Sequence, residues 1–226
     1  MPTGTCRALM IKEIFSGVYK IDGRLATKNA IPGRKAYTEE MFKDDSGEYR
    51  MWNPYRSKLA AAILNGLKHF AFGEGSSVLY IGAATGTTAS HISDIARKGS
   101  IYCIELSERS MRELVRVCED RKNMLPILAD ARYPERYQEM VDECDIIYQD
   151  ASAREQAEML KINSKFLKSG GTAYFVIKSQ SVDVSMDPKA VFKQELYRLK
   201  DDFELLQTVP LEPFDRLHMF CVLKKR

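Results

Sequence analysis

The chain has 226 residues, 45% hydrophobic and 29% charged, with a formal net charge of +3. That is the composition of a soluble globular protein with enough apolar material for one substantial domain and a small appendage. No run of 18 apolar residues is present to span a membrane, and the opening Met1-Pro2-Thr3-Gly4 lacks a signal-peptide pattern, so a cytoplasmic protein is expected.

The modest positive charge permits contact with RNA but does not provide the concentrated basic patch of an autonomous RNA binder. An RNA substrate would need something else to deliver it. The cysteines (Cys6, Cys103, Cys118, Cys144, Cys221) are scattered, form no C-x-x-C pair and join no cluster with His69, His91 or His218. They read as buried or incidental thiols, and no metal site is expected.

In chain order, residues 1–52 read as a small β-rich N-terminal module. Leu9 to Ile14 and Gly17 to Ile21 are β-friendly, Asp22-Gly23 is a hairpin signal before Arg24 to Thr27, and Pro32-Gly33 makes a further turn. Asn53-Pro54 marks the boundary with a second domain, residues 53–226. There Leu59, Ile63, Leu64, Leu67 and Phe70 recur at helical spacing, with Ser57 placed to cap the helix.

Short apolar runs then alternate with amphipathic helices. The runs are Val78 to Ile81, Ser100 to Ile104, Leu125 to Leu128, Asp145 to Tyr148 and Ala173 to Ile177. Each is apolar throughout, as strands covered on both faces should be. Helices fit over Met111 to Cys118 and Glu155 to Phe166, with Gly170-Gly171 closing the latter. This order implies a parallel sheet with right-handed crossovers. Phe203 to Val209 and His218 to Leu223 are joined by too short a connection for a crossover helix and must pair antiparallel. The expected fold is therefore α/β: a class I, Rossmann-like methyltransferase sheet of seven mostly parallel strands with a terminal antiparallel hairpin.

Ligands of open α/β sheets bind outside the carboxyl ends of the strands. The first of these strands runs into Gly82-Ala83-Ala84-Thr85-Gly86-Thr87-Thr88, whose small residues allow close approach to a ligand at a helix N-terminus; a purely structural tight turn would use the same residues. Glu105 ends the second strand and suits two ribose hydroxyls. Asp130-Ala131 end the third and suit an adenine amino group and ring, while Asp150 ends the fourth. Any one of these acids could be a helix cap or solvated turn residue, but three at successive strand ends beside a glycine loop point to an adenosine-containing ligand.

Lys178 and His218 fall on the same active edge, and Lys58 precedes it on a helix. Each also has an ordinary reading, as a solvated charge for the lysines and a packing residue for the histidine. A nicotinamide oxidoreductase would share the glycine turn, but the terminal hairpin and Asp130 disfavour it.

Several segments closely resemble the fibrillarin family. They are VLYIGAATGTTASHI (Val78 to Ile92), IELSERSMREL (Ile104 to Leu114), PILADAR (Pro126 to Arg132), DIIYQD (Asp145 to Asp150) and DVSMDPKAVF (Asp183 to Phe192). GVYKIDGRLATKN (Gly17 to Asn29), NPYRSKLAAAIL (Asn53 to Leu64) and LEPF (Leu211 to Phe214) match as well, and the glycine- and arginine-rich tail of eukaryotic members is absent, as in archaeal forms. The resemblance implies guide-directed 2′-O-methylation of ribose in rRNA, and in tRNA, within a box C/D ribonucleoprotein, with S-adenosylmethionine as methyl donor. It implies as partners a Nop-domain scaffold protein, a box C/D guide RNA and a kink-turn-binding ribosomal-type protein.

By motif, it places cofactor contacts at Gly82, Ala83, Ala84, Gly86, Thr87, Thr88, Glu105, Leu106, Asp130, Ala131 and the segment Asp150, Ala151, Ser152, Ala153. It places a catalytic group at Lys58, Asp150, Lys178 and His218. Two departures stand out: Ala151-Ser152-Ala153-Arg154 replaces the family's V-A-Q-P, and Leu217 replaces the aspartate before the histidine, which removes any orienting of His218 by that neighbour. A methyltransferase acting on a protein glutamine and a non-catalytic assembly subunit are the alternative functions.

Overall fold

A computed structural model describes residues 10–226. Five strands, β1 (Ile11–Phe15), β2 (Val18–Ile21), β3 (Arg24–Lys28), β4 (Met41–Asp44) and β5 (Gly47–Met51), form an antiparallel sheet in the order β1-β2-β3-β5-β4. The expected hairpin at Asp22-Gly23 is present, with both residues at positive φ (46° and 81°), the twist that a two-residue hairpin turn requires. Of the first expected strand, Leu9 lies outside the described residues. The β4–β5 hairpin has no alternating pattern to announce it. Its turn is held by Asp44, whose Oδ1 accepts from the amides of Ser46 (2.9 Å) and Gly47 (3.1 Å).

Seven further strands make a second sheet: β6 (Val78–Ile81), β7 (Ile101–Glu105), β8 (Met124–Leu128), β9 (Cys144–Gln149), β10 (Leu167–Lys178), β11 (Phe203–Pro210) and β12 (His218–Lys225). Their order is β11-β12-β10-β9-β6-β7-β8; β6 to β10 pair in parallel and β12 runs antiparallel to both β10 and β11. This is the expected seven-stranded sheet with its terminal hairpin. Helices α1 (Lys58–Leu64), α2 (Thr87–Ile95), α3 (Glu108–Asp120), α4 (Gln156–Asn163), α5 (Ser179–Val182) and α6 (Pro188–Arg198) cover it.

Successive residues of β6 serve opposite layers: Val78 and Tyr80 join the core cluster that includes α1 and α2, Leu79 and Ile81 the cluster that includes α4. The first cluster also takes in Val18, Leu25 and Trp52, so the N-terminal sheet shares a core with the larger one. No described helix is long and apolar enough to cross a membrane.

Three sequence expectations are corrected. The helix begun at Ser57 does not reach Phe70: it ends at Leu64, where Asn65 caps it and Gly66 turns the chain at φ 93°. Leu67 is buried nonetheless, so its apolar spacing records packing of a loop. Gly170-Gly171 do not close a helix, which ends at Asn163; they lie in β10 where its register with β9 breaks between Leu167 and Thr172. Finally, β8 is not covered on both faces. It is one edge of the sheet, with Leu125 39% and Leu128 53% exposed.

Candidate active site

Strand order reverses at β6, with β7 and β8 to one side and β9 onward to the other, and the crevice at such a reversal is where α/β sheets bind ligands. The chain leaving β6 and the chain leaving β9 lie almost in contact there. Gly82 sits at φ 80°, and a Cβ on it would lie 2.8 Å from Asp150 O and 2.9 Å from the Ala151 Cα. Only glycine satisfies both the conformation and the approach.

A cavity of about 580 Å³ opens at this point. One wall carries Gly82, Ala84, Glu105, Leu106, Asp130 and Ala131; the other carries Asp150, Ala151, Ser152, Ala153 and Lys178. The expected cofactor residues are thus largely brought together.

Four are not on the wall. Ala83 is buried, and Thr88, also buried, donates its hydroxyl to Ser57 Oγ at 3.0 Å, tying α2 to the start of α1. Thr87 opens α2. Gly86 caps the same helix at φ 84°, where a Cβ would meet Leu114 Cδ1 at 2.9 Å. These residues shape the loop beneath the cavity.

The acids differ in their surroundings. Glu105 bridges its own loop and the glycine loop: Oε2 accepts from the Ala84 amide (2.8 Å) and Oε1 from the Ser107 amide (2.7 Å). A carboxylate offers about four acceptor positions, so half remain for a ligand. Asp130 is gripped by Arg132, with Nη2 to Oδ2 at 2.6 Å, and that bond holds its carboxyl below the usual carboxylate range. Asp150 Oδ1 is buried and has no hydrogen-bond partner among the described residues.

The four expected catalytic residues form one chain of charge. Lys178 Nζ lies 2.9 Å from Asp150 Oδ1, a charge contact off the hydrogen-bond line, while it donates to Asp150 O (2.9 Å) and Ser152 Oγ (3.3 Å). Lys58 Nζ donates to Asp150 Oδ2 at 3.2 Å and lies 3.6 Å from Asp215 Oδ2. His218 Nδ1 lies 2.7 Å from Asp215 Oδ1, again close but out of line for a hydrogen bond.

Asp215 is the residue the sequence reading missed. Leu217 does replace the expected acid before the histidine, and it sits at φ 62°, yet Asp215 brings a carboxylate to His218 from two residues further back. An acid three residues before His218 was the available signal.

A second group missed in the sequence is a pair of buried glutamines. Gln156 clamps the end of β10: its Oε1 accepts from the Lys178 amide (3.0 Å), and its Nε2 donates to Lys178 O (3.3 Å) and Ala153 O (3.1 Å). Gln149 Nε2 in turn donates to Gln156 O at 2.8 Å. The Lys178 strand end and the 150–155 segment are thereby held to each other.

The profile of the family described as Fibrillarin matches residues 9–226. A protein of Thermococcus onnurineus (strain NA1) named fibrillarin-like rRNA/tRNA 2'-O-methyltransferase is 48% identical over 221 residues, covering 95% of this chain and 98% of its own. Among solved structures, Aeropyrum pernix fibrillarin in complex with natively bound S-adenosyl-L-methionine superposes with a TM-score of 0.88 at 44% identity, over 96% of this chain and 97% of that one. A chain of a fibrillarin/Nop5p complex does so with a TM-score of 0.89 at 37% identity, over 95% of this chain and all of that one (100%). Likeness of this extent runs through both sheets and every strand end that builds the cavity, and the chain belongs to the fibrillarin family.

Proposed function

We propose that this protein transfers the methyl group of S-adenosylmethionine to ribose 2′-hydroxyls of rRNA and tRNA, as the catalytic subunit of a guide-directed box C/D particle. The observation that carries the reading is the charge chain Lys178–Asp150–Lys58–Asp215–His218 at the edge of a cavity walled by three strand-end acids. Family membership supports it, as do the named activity of the Thermococcus relative and the ligand of the Aeropyrum structure.

The residues fit the cofactor. Asp150 lines the cavity beside Gly82, where the two backbones form a cradle that a Cβ on residue 82 would fill. The open positions of Glu105 suit ribose hydroxyls, and Leu106, 62% exposed, with Ala131 offers an apolar surface to a base; Asp130, whose oxygens take four bonds from Arg132, would accept an amino group in exchange for part of that grip. S-adenosylmethionine supplies a methyl group already activated by its sulfonium, so the protein's main task is alignment. Nζ of Lys178 faces three oxygens, an environment suited to an ammonium, and in this reading it stabilises negative charge developing on the 2′-oxygen. Asp150 orients both lysines, and His218, steadied by Asp215, holds the ribose or relays its proton.

The solved fibrillarin/Nop5p complex supports a Nop-domain scaffold as direct partner. The guide RNA and the kink-turn-binding protein follow from the same reading: with a net charge of only +3, target choice is left to base pairing delivered by the assembly.

The test is transfer of radiolabelled methyl to a guide-matched RNA, with and without scaffold and guide. Transfer should need the whole assembly and vanish when the target nucleotide is 2′-deoxy. Lys178→Ala should lower the rate by about 10²-fold or more while cofactor affinity stays within about threefold. Robust turnover by that variant removes Lys178 from the mechanism; labelling of the 2′-deoxy target removes the 2′-hydroxyl.

A further inference from the structure

Two loops meet at the mouth of the charge chain, and each runs from an aromatic residue past an arginine to a residue of that chain: Tyr55-Arg56-Ser57-Lys58 and Phe214-Asp215-Arg216-Leu217-His218. Their rings touch edge to face, centroids 5.2 Å apart at 74°, and their charges meet between Lys58 and Asp215 at 3.6 Å. Three residues of extended chain span at most about 10 Å, so the aromatic pair is an immediate neighbour of the reacting groups.

Tyr55 is 69% exposed, an unusual place for a ring whose burial is so favourable. Nor is it a loose loop tip. Asn53 Oδ1 accepts from the Tyr55 amide at 2.9 Å, Asn53 O accepts from the Arg56 amide at 3.1 Å, and Pro54 between them restricts the backbone. Phe214 is half-buried against the main core, whereas the edge-to-face contact covers at most one face of the Tyr55 ring, and Tyr55 also borders a cleft of about 390 Å³ that it shares with Thr38, Trp52 and Arg56. The ring is held out, rigidly, with space beside it.

We propose that Tyr55 and Phe214 form a rest for riboses in the shallow minor groove of the guide–target duplex, with Arg56 and Arg216 reaching the phosphates on either side. This rests on the RNA reading of the site given above. If base pairing selects the target, its base is stacked inside an A-form helix, and the 2′-hydroxyls of such a helix line a wide, shallow minor groove. A protein reaches them with projecting side chains rather than a deep pocket. Aromatic rings interleaved with arginines are the surface that suits sugar and phosphate contact without regard to base sequence. Arg216 is exposed, and Arg56 is steadied over the Tyr37 ring at 4.9 Å with one N–H given to Thr38 Oγ (2.8 Å), leaving most of its five donors for a phosphate.

The experiment is steady-state methylation by the fully reconstituted particle. Tyr55→Ala should raise KM for the target RNA by on the order of tenfold at unchanged kcat, and Tyr55→Phe should restore it. Arg56→Ala and Arg216→Ala should each lower the slope of log affinity against log salt by about one, a change Tyr55→Ala should not produce.

Replacing the riboses beside the target by 2′-deoxyriboses, which changes the sugar surface, should weaken the wild type but add little to Tyr55→Ala. A Tyr55→Ala effect confined to kcat would mean that the ring merely braces Phe214 and Asp215, and would overturn the proposal. So would unchanged kinetics, or a loss of affinity for the scaffold protein in place of RNA. Failure of the wild-type particle to label any 2′-hydroxyl overturns instead the functional reading beneath it.

Discussion

Asp94, on α2, is buried at 2% exposure against the N-terminal sheet, and its carboxylate takes four donors. Oδ1 accepts from Arg121 Nη1 (2.7 Å) and the Ala30 amide (2.9 Å); Oδ2 accepts from Arg50 Nη1 (2.7 Å) and Thr27 Oγ (2.7 Å). Arg50 is also paired with the buried Glu39 at 2.7 Å, so two cations and two anions balance in a buried cluster. Asp94→Asn keeps the shape but leaves one guanidinium charge uncompensated and turns an NH₂ group toward groups that are themselves donors. Breaking a buried pair in this way costs about 3–5 kcal/mol, a large share of the roughly 5–15 kcal/mol that holds a typical domain. At about 2–4 °C per kcal/mol for a chain of this size, the melting temperature should fall by roughly 6–20 °C. Thermal unfolding by circular dichroism measures this, with Glu40→Gln as control. Glu40 pairs with Arg24 on the surface, the two side chains 70% and 59% exposed, and its loss should cost under about 1 kcal/mol. If the two variants melt within a few degrees of each other, the cluster does not carry the join between the sheets and the reasoning fails.

The same cluster makes stability depend on pH. Burial, reinforced by Arg50 and Arg121, holds His91 well below the ordinary histidine range, so the folded state keeps it neutral. Thr27 gives its only hydroxyl proton to Asp94, so His91 donates from Nδ1 to Thr27 Oγ (2.8 Å) and accepts at Nε2 from Tyr37 (2.7 Å). Below about pH 6.5 the unfolded chain binds a proton that the folded one refuses, so stability should fall with pH by up to about 1.4 kcal/mol per unit. His91→Gln should flatten the melting profile between pH 7 and 5; equal slopes in the two proteins would count against this. At the cavity, Gly82→Ala forces away the Asp150–Ala151 backbone that lines it, and calorimetry should show S-adenosylmethionine binding weakened by about tenfold or more; the left-handed conformation separately costs roughly 1–2 kcal/mol of folding stability. Asp215→Asn removes the carboxylate shared by Lys58 and His218, and single-turnover assays should find methyl transfer slowed by about tenfold with cofactor affinity unchanged; an unaltered rate would make Asp215 a bystander.

Much of this was legible in the sequence for local reasons. Short apolar runs between helices imply strands of a parallel sheet because backbone hydrogen bonds must be satisfied within a covered layer, and the Pro210 to Leu217 connection is too short to cross over, so the last two strands had to pair antiparallel. Strand ends then placed Glu105, Asp130, Asp150 and Lys178 along one edge without any knowledge of tertiary contacts. The helix beyond Leu64 was misread because apolar spacing records burial, and a loop can bury Leu67 as well as a helix can. Gly170-Gly171 were misread because glycines that end a helix and glycines that bend a strand look alike.

What the sequence could not supply is every relation between residues far apart in the chain. Arg50, Asp94 and Arg121, or Gln156 and Lys178, have no common pattern; only close packing turns them into a charge cluster and a clamp. Asp215 shows the difference most directly. A single residue's identity beside His218 suggested that an orienting acid was lost, whereas the fold of the loop brings another carboxylate within 2.7 Å of the ring. Sequence determines which strands and which strand-end chemistry this protein has, because those follow from local hydrogen bonding and periodic burial. The tertiary structure alone decides which side chains share an environment, because electrostatic and packing energies depend on distance in space and not on separation along the chain.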